Sequence, residues 1–234
     1  MIRIENLHKQ FGKLKVLDGV SFNIEPKGVI AVLGPNGSGK TTILKTILGM
    51  VIPQKGEIYF EEKPVLGEWD YRNRIGFLPQ IARFPDNLTV RELIDMIKNI
   101  RDVNANESAL IDRFDLHGSM QKKLSNLSGG TKQKVNIVLT FMFDSPLLIL
   151  DEPTAGLDPI SLIHLKSLIK EEKEKGKTLL ITTHIMSLVE ELSDEIIFLL
   201  EGKIHFQGTV QALQQQTKQT DLEHSIAKIL EENA

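Results

Sequence analysis

One short segment combines glycines, a lysine and hydroxyl side chains at a spacing that suits an anionic ligand. It lies between the apolar run Val29 to Leu33 and a helical stretch to about Leu48, and it reads Gly34-Pro35-Asn36-Gly37-Ser38-Gly39-Lys40-Thr41. This octapeptide matches G-x-x-x-x-G-K-[ST] in the strand-to-helix context that the pattern requires. Glycines let the backbone approach phosphate closely, and the N–H groups of the loop and of the helix N-terminus then face the anion.

Two side chains of this segment have expected partners on a nucleotide. Lys40 is expected to reach the β- and γ-phosphates, and the Thr41 hydroxyl is expected to ligate Mg²⁺. The alternative is a glycine-rich turn that binds nothing. The segment predicts a chain that binds a nucleoside triphosphate, ATP with Mg²⁺, and hydrolyses it.

A second polar feature follows another apolar strand. The run Leu147-Leu148-Ile149-Leu150 ends in two carboxylates, Asp151 and Glu152. In a doubly wound sheet, a carboxylate at the tip of a buried parallel strand lies beside the phosphate loop. We therefore expect Asp151 to hold Mg²⁺ through water and Glu152 to polarise an attacking water. The alternative for this pair is a solvated acidic loop.

Three further segments are informative as a set. They are Leu127-Ser128-Gly129-Gly130, then Ala155-Gly156-Leu157-Asp158, then Thr182-Thr183-His184. Each is common by itself. Together, and in this order with the two sites above, they resemble the ATPase subunit of ATP-binding cassette (ABC) transporters, from about residue 2 to residue 210.

The resemblance implies roles within the chain's own nucleotide site. Phe11 stands where the family stacks an aromatic ring on adenine, with a simple core residue as the alternative. Gln80 matches the glutamine that touches Mg²⁺ and senses the transmembrane partner, and His184 matches the switch histidine that holds the γ-phosphate and water. The implied site residues are Glu152 and His184 for catalysis; Phe11, Val16, Gly34, Asn36, Gly37, Ser38, Gly39, Lys40, Thr41, Thr42 and Gln80 for ATP; and Thr41, Gln80 and Asp151 for the metal.

The resemblance also implies a second copy of the chain. Ser128, Gly129 and Gly130 match the segment that contacts the γ-phosphate held by the opposite subunit, and Asp158 matches the loop that crosses the dimer interface. Thr131 stands where the family usually has Gln. Because Thr is shorter, its side chain reaches less far towards the ribose of the nucleotide on the opposite subunit. Activity is expected to persist, because Ser128 and nearby backbone contact the γ-phosphate. The expected assembly is a head-to-tail dimer that two ATP molecules close and hydrolysis loosens.

The alternation of apolar strands with helices predicts an α/β fold with a mainly parallel sheet. With the resemblance, we expect a P-loop NTPase core of the RecA type, an N-terminal antiparallel β subdomain and an inserted helical subdomain at about 85–130, all within a single ATP-binding domain, 1–234. An apolar stripe predicts a helix in the insert through Leu93, Met96, Ile97 and Ile100. A helical tail is expected at about 209–234. Within it, one apolar face predicts a terminal helix that docks on the rest of the chain; the face is formed by Leu222, Ile226, Ile229 and Leu230.

Composition limits the partners of the chain. It carries 28 basic and 31 acidic side chains for a net charge of −3, so the positive field of a nucleic-acid binder is missing. It has no cysteine, which excludes disulfides, thiolate metal sites and cysteine nucleophiles and fits a reducing cytosol.

The longest mainly apolar segment, 135–143, is shorter than the roughly 20 residues that cross a bilayer, and it contains Asn136 and Thr140. With no signal-peptide pattern at the start, we expect a cytoplasmic protein held peripherally at the cytoplasmic face of the cell membrane.

These features predict the ATP-hydrolysing subunit of an ABC transporter, working with transmembrane permease chains. The alternative is a soluble ABC-type ATPase in DNA repair or translation, but such relatives typically carry two tandem ATPase units or a long coiled-coil insert. The Asn-Lys-x-Asp motif of a GTPase is absent. The segments 75–80 and 127–134 resemble the ATPase of the copper-processing transporter that matures nitrous-oxide reductase and, more broadly, multidrug-type exporters; the sequence does not name the substrate.

Overall fold

The computed structural model describes residues 1–232, and no helix among them combines the length and apolar character needed to cross a membrane. The strands are β1 (Ile2–Phe11), β2 (Leu14–Ile24), β3 (Gly28–Leu33), β4 (Lys55–Phe60), β5 (Lys63–Pro64), β6 (Ile75–Leu78), β7 (Leu147–Asp151), β8 (Thr178–Thr182), β9 (Glu195–Leu200) and β10 (Lys203–Gly208). The α-helices are α1 (Lys40–Ile47), α2 (Val90–Arg101), α3 (Glu107–Arg113), α4 (Gly129–Phe141), α5 (Pro159–Glu174), α6 (Met186–Leu192), α7 (Val210–Thr217) and α8 (Leu222–Glu232).

The chain forms two compact units. The first contains Met1–Tyr71 and the chain from Thr178 onward, and the second contains Arg72–Lys177. The single domain expected from the sequence stays a prediction. Residues 233 and 234 of the predicted tail lie outside the described residues.

An antiparallel sheet begins the first unit, with strand order β2-β1-β4-β5. On β1, the side chains of Ile2, Ile4 and Leu7 are buried while most of their neighbours are not. The pattern is typical of a strand with one face on a core and one face in solvent. The predicted N-terminal antiparallel subdomain is confirmed.

The first unit also contains a mainly parallel sheet. Strand β3 lies between β8 and β9, parallel to both, and β10 pairs antiparallel with β9. All residues of β3 are buried, as expected for a strand covered on both faces. Strands β9 and β10 were not predicted from the sequence. Helices α7 and α8 contribute to a buried cluster with β9. Leu222, Ile226 and Ile229 are buried in that cluster and the partly buried Leu230 packs against it, which confirms the docked terminal helix.

In the second unit, β6 and β7 are parallel and helices form most of the chain between them. Helix α2 begins at a capping box in which Thr89 and Glu92 exchange hydrogen bonds with each other's backbone N–H. The predicted apolar stripe is correct for Leu93, but Ile100 is 71% exposed. The stripe fails there because α2 buries its first turns, and Ile100 lies in its last turn.

Candidate nucleotide-binding site

The glycine-rich octapeptide forms a tight loop between β3 and α1. Gly34 has φ +149°, and a Cβ there would lie 2.1 Å from the carbonyl oxygen of Leu199. Gly39 has φ +109°, and a Cβ there would lie 2.8 Å from the carbonyl oxygen of Val16. Both positions therefore require glycine, for conformation and for space. Gly39 is also the N-cap of α1 and provides no side-chain cap, which leaves the helix N-terminus suited to an anion.

The polar atoms of this loop fit a phosphate group. The Ser38 hydroxyl is buried and has no hydrogen-bond partner within residues 1–232, an uncommon state for a buried polar atom. The Lys40 ammonium donates to the carbonyl oxygens of Gly34 at 2.7 Å and Pro35 at 3.0 Å, so it lies across the loop. Gly37 faces open space. A phosphate oxygen could accept hydrogen bonds from the hydroxyl, the ammonium and the loop N–H groups together.

The other predicted ATP-binding residues of the first unit differ in exposure. Phe11 ends β1 with 49% of its surface exposed, which excludes the alternative of a core residue. The Lys9 ammonium lies 4.8 Å from the Phe11 ring centroid. Asn36 is exposed, and Thr41 and Thr42 are half-buried in the first turn of α1. An exposed aromatic face has room for a base, and its stacking role stays a prediction.

His184 lies on the same edge of the first unit as the phosphate loop. Val32 of β3 is in register with Thr182 of the parallel strand β8. Gly34 and the exposed His184 therefore each lie two residues beyond this registered pair, just after the carboxyl ends of neighbouring parallel strands. The structure thus brings these two sequence-predicted elements to one edge.

In the second unit, Gln80 and the acidic pair form a similar arrangement. Leu78 of β6 is in register with Leu150 of the parallel strand β7, so the segments that follow both strands share an edge. Asp151 is only 3% exposed. Glu152 has φ +49°, a sparsely populated conformation for a residue with a side chain. Such backbone outliers cluster at functional sites, which is consistent with the role predicted for Glu152.

The Ser128 segment begins helix α4. The Ser128 hydroxyl caps the helix by accepting from the Thr131 N–H at 3.2 Å, and it lies 2.9 Å from the Thr131 hydroxyl. Thr131 therefore folds back on Ser128 in this chain. A Cβ on Gly130 would lie 2.7 Å from the carbonyl oxygen of Gly156, whereas Gly129 faces open space. The exposed start of α4 leaves room for another molecule to approach Gly129.

Asp158 has well-defined partners at the start of α5. It caps that helix by accepting from the Ser161 N–H at 2.9 Å, and its other oxygen lies 2.9 Å from the Lys134 ammonium. The Ser161 N–H and then the Lys134 ammonium hold the pKa of Asp158 well below its usual range. Asp158 is therefore ionised at neutral pH.

A buried polar face on α4 was not predicted from the sequence. Gln133, Asn136 and Thr140 are all at most 5% exposed, and they contact the segments that carry Gln80 and Glu152. The available signal was the presence of Asn136 and Thr140 within an apolar segment. In the sequence, that signal served only as an argument against a membrane span.

Comparison with known proteins identifies the family. Residues 17–155, more than half of the chain, match the family described as ABC transporter. The chain is 38% identical over 208 residues to the lantibiotic transport ATP-binding protein SrtF of Streptococcus pyogenes, a match that covers 87% of this chain and 89% of that protein. It is 34% identical over 218 residues to the Nod factor export ATP-binding protein I of Burkholderia lata, covering 91% of this chain and 72% of that protein.

Solved structures share the fold over nearly the whole chain. An ATP-binding subunit of an ABC transporter superposes with a TM-score of 0.91 at 27% identity, over 98% of this chain and 99% of that chain. A dimeric ATP-binding cassette in a post-hydrolysis state, bound to ADP and Pi, superposes with a TM-score of 0.80 at 25% identity, over 89% of this chain and 98% of that chain. The predicted α/β fold of a P-loop NTPase is thereby confirmed, and the chain belongs to the ABC transporter family as an ATP-binding subunit.

Proposed function

We propose that this chain binds ATP with Mg²⁺ on its phosphate loop and hydrolyses it as the energy-supplying subunit of an exporter. The observation that carries the nucleotide-binding part of the proposal is the buried Ser38 hydroxyl, which has no partner within the described residues and belongs to the loop that Lys40 crosses. A buried hydroxyl without a partner is costly unless a ligand satisfies it. The γ- and β-phosphates of ATP supply the acceptor that it lacks.

The residues after β6 and β7 would prepare the chemical step. Thr41, Gln80 and Asp151 would hold Mg²⁺, which neutralises charge on the phosphate oxygens when it is bound. Glu152 would accept a proton from the attacking water, and His184 would hold that water and the γ-phosphate in place. The support is the position of Gln80, Asp151, Glu152 and His184 at or just after the carboxyl end of a parallel strand, where ligands of open α/β sheets bind. Thr41 lies in the first turn of α1, which follows the phosphate loop.

A second copy of the chain would complete each site. Ser128 caps α4 from an exposed position, and Gly129 leaves space beside it. The N-terminus of a helix attracts an anion, so this segment suits the γ-phosphate held by a partner. Asp158 would lie at the same interface. The dimeric cassette among the structural relatives supports this assembly.

Transmembrane permease chains would couple this ATPase to transport at the cytoplasmic face of the membrane. Support comes from relatives whose names specify lantibiotic transport and Nod factor export. Gln80 is exposed at the end of β6 and would sense the permease. The copper-processing or multidrug subtype stays a prediction.

The phosphate loop is tested by Lys40→Ala, with the exposed Lys63→Ala as a matched loss of charge. A hydrogen bond from a charged group contributes about 1.5–3 kcal/mol, so Lys40→Ala should weaken ATP binding by roughly tenfold or more and abolish turnover. Titration with ATP and phosphate-release assays would measure both, and Lys63→Ala should match the wild type. Turnover at the wild-type rate in Lys40→Ala would overturn the assignment.

A further inference from the structure

Helix α4 has a row of buried polar side chains that the reaction above does not use. Gln133 is 5% exposed, and Asn136 and Thr140 are each 3% exposed. Their spacing of three and four residues places them on one face of the helix. Burial of polar groups is costly unless each is hydrogen-bonded, so their partners show what this face does.

The partners are backbone carbonyls beside the predicted catalytic residues. Asn136 Nδ2 donates to the carbonyl oxygen of Pro79 at 3.0 Å, and Pro79 directly precedes Gln80. Gln133 Nε2 donates to the carbonyl oxygen of Pro153 at 3.0 Å, and Pro153 directly follows Glu152. The row therefore holds both segments that emerge from the carboxyl ends of β6 and β7.

The remaining contacts join the row together. Asn136 Nδ2 also lies 3.4 Å from Gln133 Oε1. The Thr140 hydroxyl lies 3.1 Å from the carbonyl oxygen of Phe77 in β6 and 2.8 Å from that of Asn136. At Gly76, a Cβ would lie 2.9 Å from the Thr140 carbonyl oxygen, so α4 packs directly on β6.

The same helix carries the residues predicted to act on the partner's nucleotide. Ser128 caps its first turn, and Lys134 pairs with Asp158 at 2.9 Å. One rigid element thus contacts the Gln80 segment, the Glu152 segment and the Asp158 loop. A shift of the Gln80 or the Glu152 segment relative to Ser128 would have to break a hydrogen bond to a buried side chain of α4. A shift of the Asp158 loop would have to break the ion pair with Lys134.

We propose that Asn136 is a positioning residue for ATP hydrolysis: its amide fixes the Pro79 carbonyl, and with it the place from which Gln80 reaches the metal. The inference rests on the proposed function. Asn suits this position because its amide has two N–H groups on a short side chain, one for Pro79 and one for Gln133. Leu has a similar size and neither donor.

The test separates metal binding from nucleotide binding. ATP affinity is measured for wild type and Asn136→Leu in Mg²⁺ and again in EDTA, together with kcat and KM for hydrolysis. The phosphate loop is unchanged, so affinity in EDTA should match the wild type. The gain in affinity that Mg²⁺ provides should shrink, and kcat should fall by about tenfold or more, since small displacements of catalytic groups are costly. Asn136→Ala serves as a second variant if the leucine side chain prevents folding.

A double-mutant cycle with Gln80→Ala tests whether Asn136 acts through Gln80. Residues that act as a unit are not additive, so the double variant should lose little more than Gln80→Ala alone. Thr217→Val is the structural control, because Thr217 is a buried α7 residue whose hydroxyl donates to the Leu213 carbonyl at 2.8 Å. It should lower the melting temperature without changing kcat or the effect of Mg²⁺.

Two results would overturn the inference alone: full additivity with Gln80→Ala, or an Asn136→Leu protein that, like the control, loses only stability. A wild type that binds no ATP would overturn the proposed function, and the inference with it. These outcomes are distinguishable because ATP binding in EDTA is measured first.

Discussion

In the first unit, the phosphate loop is shaped by backbone: glycines with positive φ pass close to the carbonyls of Leu199 and Val16. In the second unit, the segments after β6 and β7 are held by side chains of α4 that reach their carbonyls. A site made of backbone binds phosphate wherever the loop forms, whereas a site held by side chains can be displaced while the chain stays folded. We therefore expect changes in the phosphate loop to act mainly on ATP affinity, and changes in the segments after β6 and β7 to act mainly on rate and assembly.

In the second unit, the largest effect on the rate of hydrolysis should come from Glu152→Gln. Loss of a general base costs about 10²–10⁴-fold in rate, while ATP binding should survive because the amide keeps the shape of the carboxylate and the phosphate loop is intact. Single-turnover hydrolysis and ATP titration measure the two quantities. The exposed Glu174→Gln should behave as wild type. A Glu152→Gln protein that hydrolyses ATP normally would remove Glu152 from the mechanism.

The same variant sharpens the prediction of a shared site. Bound ATP should persist in Glu152→Gln and produce a dimer in size-exclusion chromatography, whereas the protein without nucleotide should be monomeric. Adding Ser128→Arg should abolish the dimer and spare ATP binding, because Ser128 would act on the partner's nucleotide. Ser167→Arg, an exposed change on α5, should leave the dimer intact. A monomer under all conditions, with nucleotide bound, would contradict a dimer formed by this chain alone.

The contrast between a local backbone loop and side chains that reach distant carbonyls also explains what the sequence could predict. The phosphate loop and the acidic pair were predictable because each is a local pattern directly after an apolar strand. The α4 row was not, because Asn136 and Thr140 donate to carbonyls 57 and 63 residues away in the chain. Before the fold is known, a buried amide in a helix has no visible partner.

The prediction of strands and helices from the sequence succeeded only in part. The apolar runs of β3, β7 and β8 identified those strands, and the equally apolar β9 was overlooked. The Ile100 prediction failed because helical periodicity gives a face but not the length of helix that its neighbours cover. Tertiary packing decides how much of α2 is covered, and this cannot be deduced from the sequence of the helix.

A moderate effect is expected from Phe11→Ala in the first unit. Stacking of a base on an aromatic side chain contributes about 1–3 kcal/mol, so ATP affinity should fall while the melting temperature changes little, since Phe11 is half exposed. Phe11→Tyr keeps the ring and should retain affinity. Unchanged ATP affinity in Phe11→Ala would show that the ring is not the adenine platform.

The smallest effect concerns Asp158, a surface contact of the second unit. Asp158→Asn should still cap α5 but lose the ion pair with Lys134, so its melting temperature at pH 7 should be slightly lower than that of the wild type.

The pKa of Asp158 is lowered in the folded state by the Ser161 N–H and by Lys134. Its ionisation therefore stabilises the fold fully above the unfolded pKa of about 3.9, and that contribution is lost as pH falls towards the folded pKa. The difference between wild type and variant should be constant from pH 7 to about pH 5 and should shrink below about pH 4, with the exposed Asp95→Asn as the control for loss of a charge. A difference that stays constant at low pH would mean that packing, and not ionisation, stabilises this contact. If Asp158 also lies at the dimer interface, the variant should weaken the ATP-induced dimer of Glu152→Gln at pH 7 more than its small loss of stability explains.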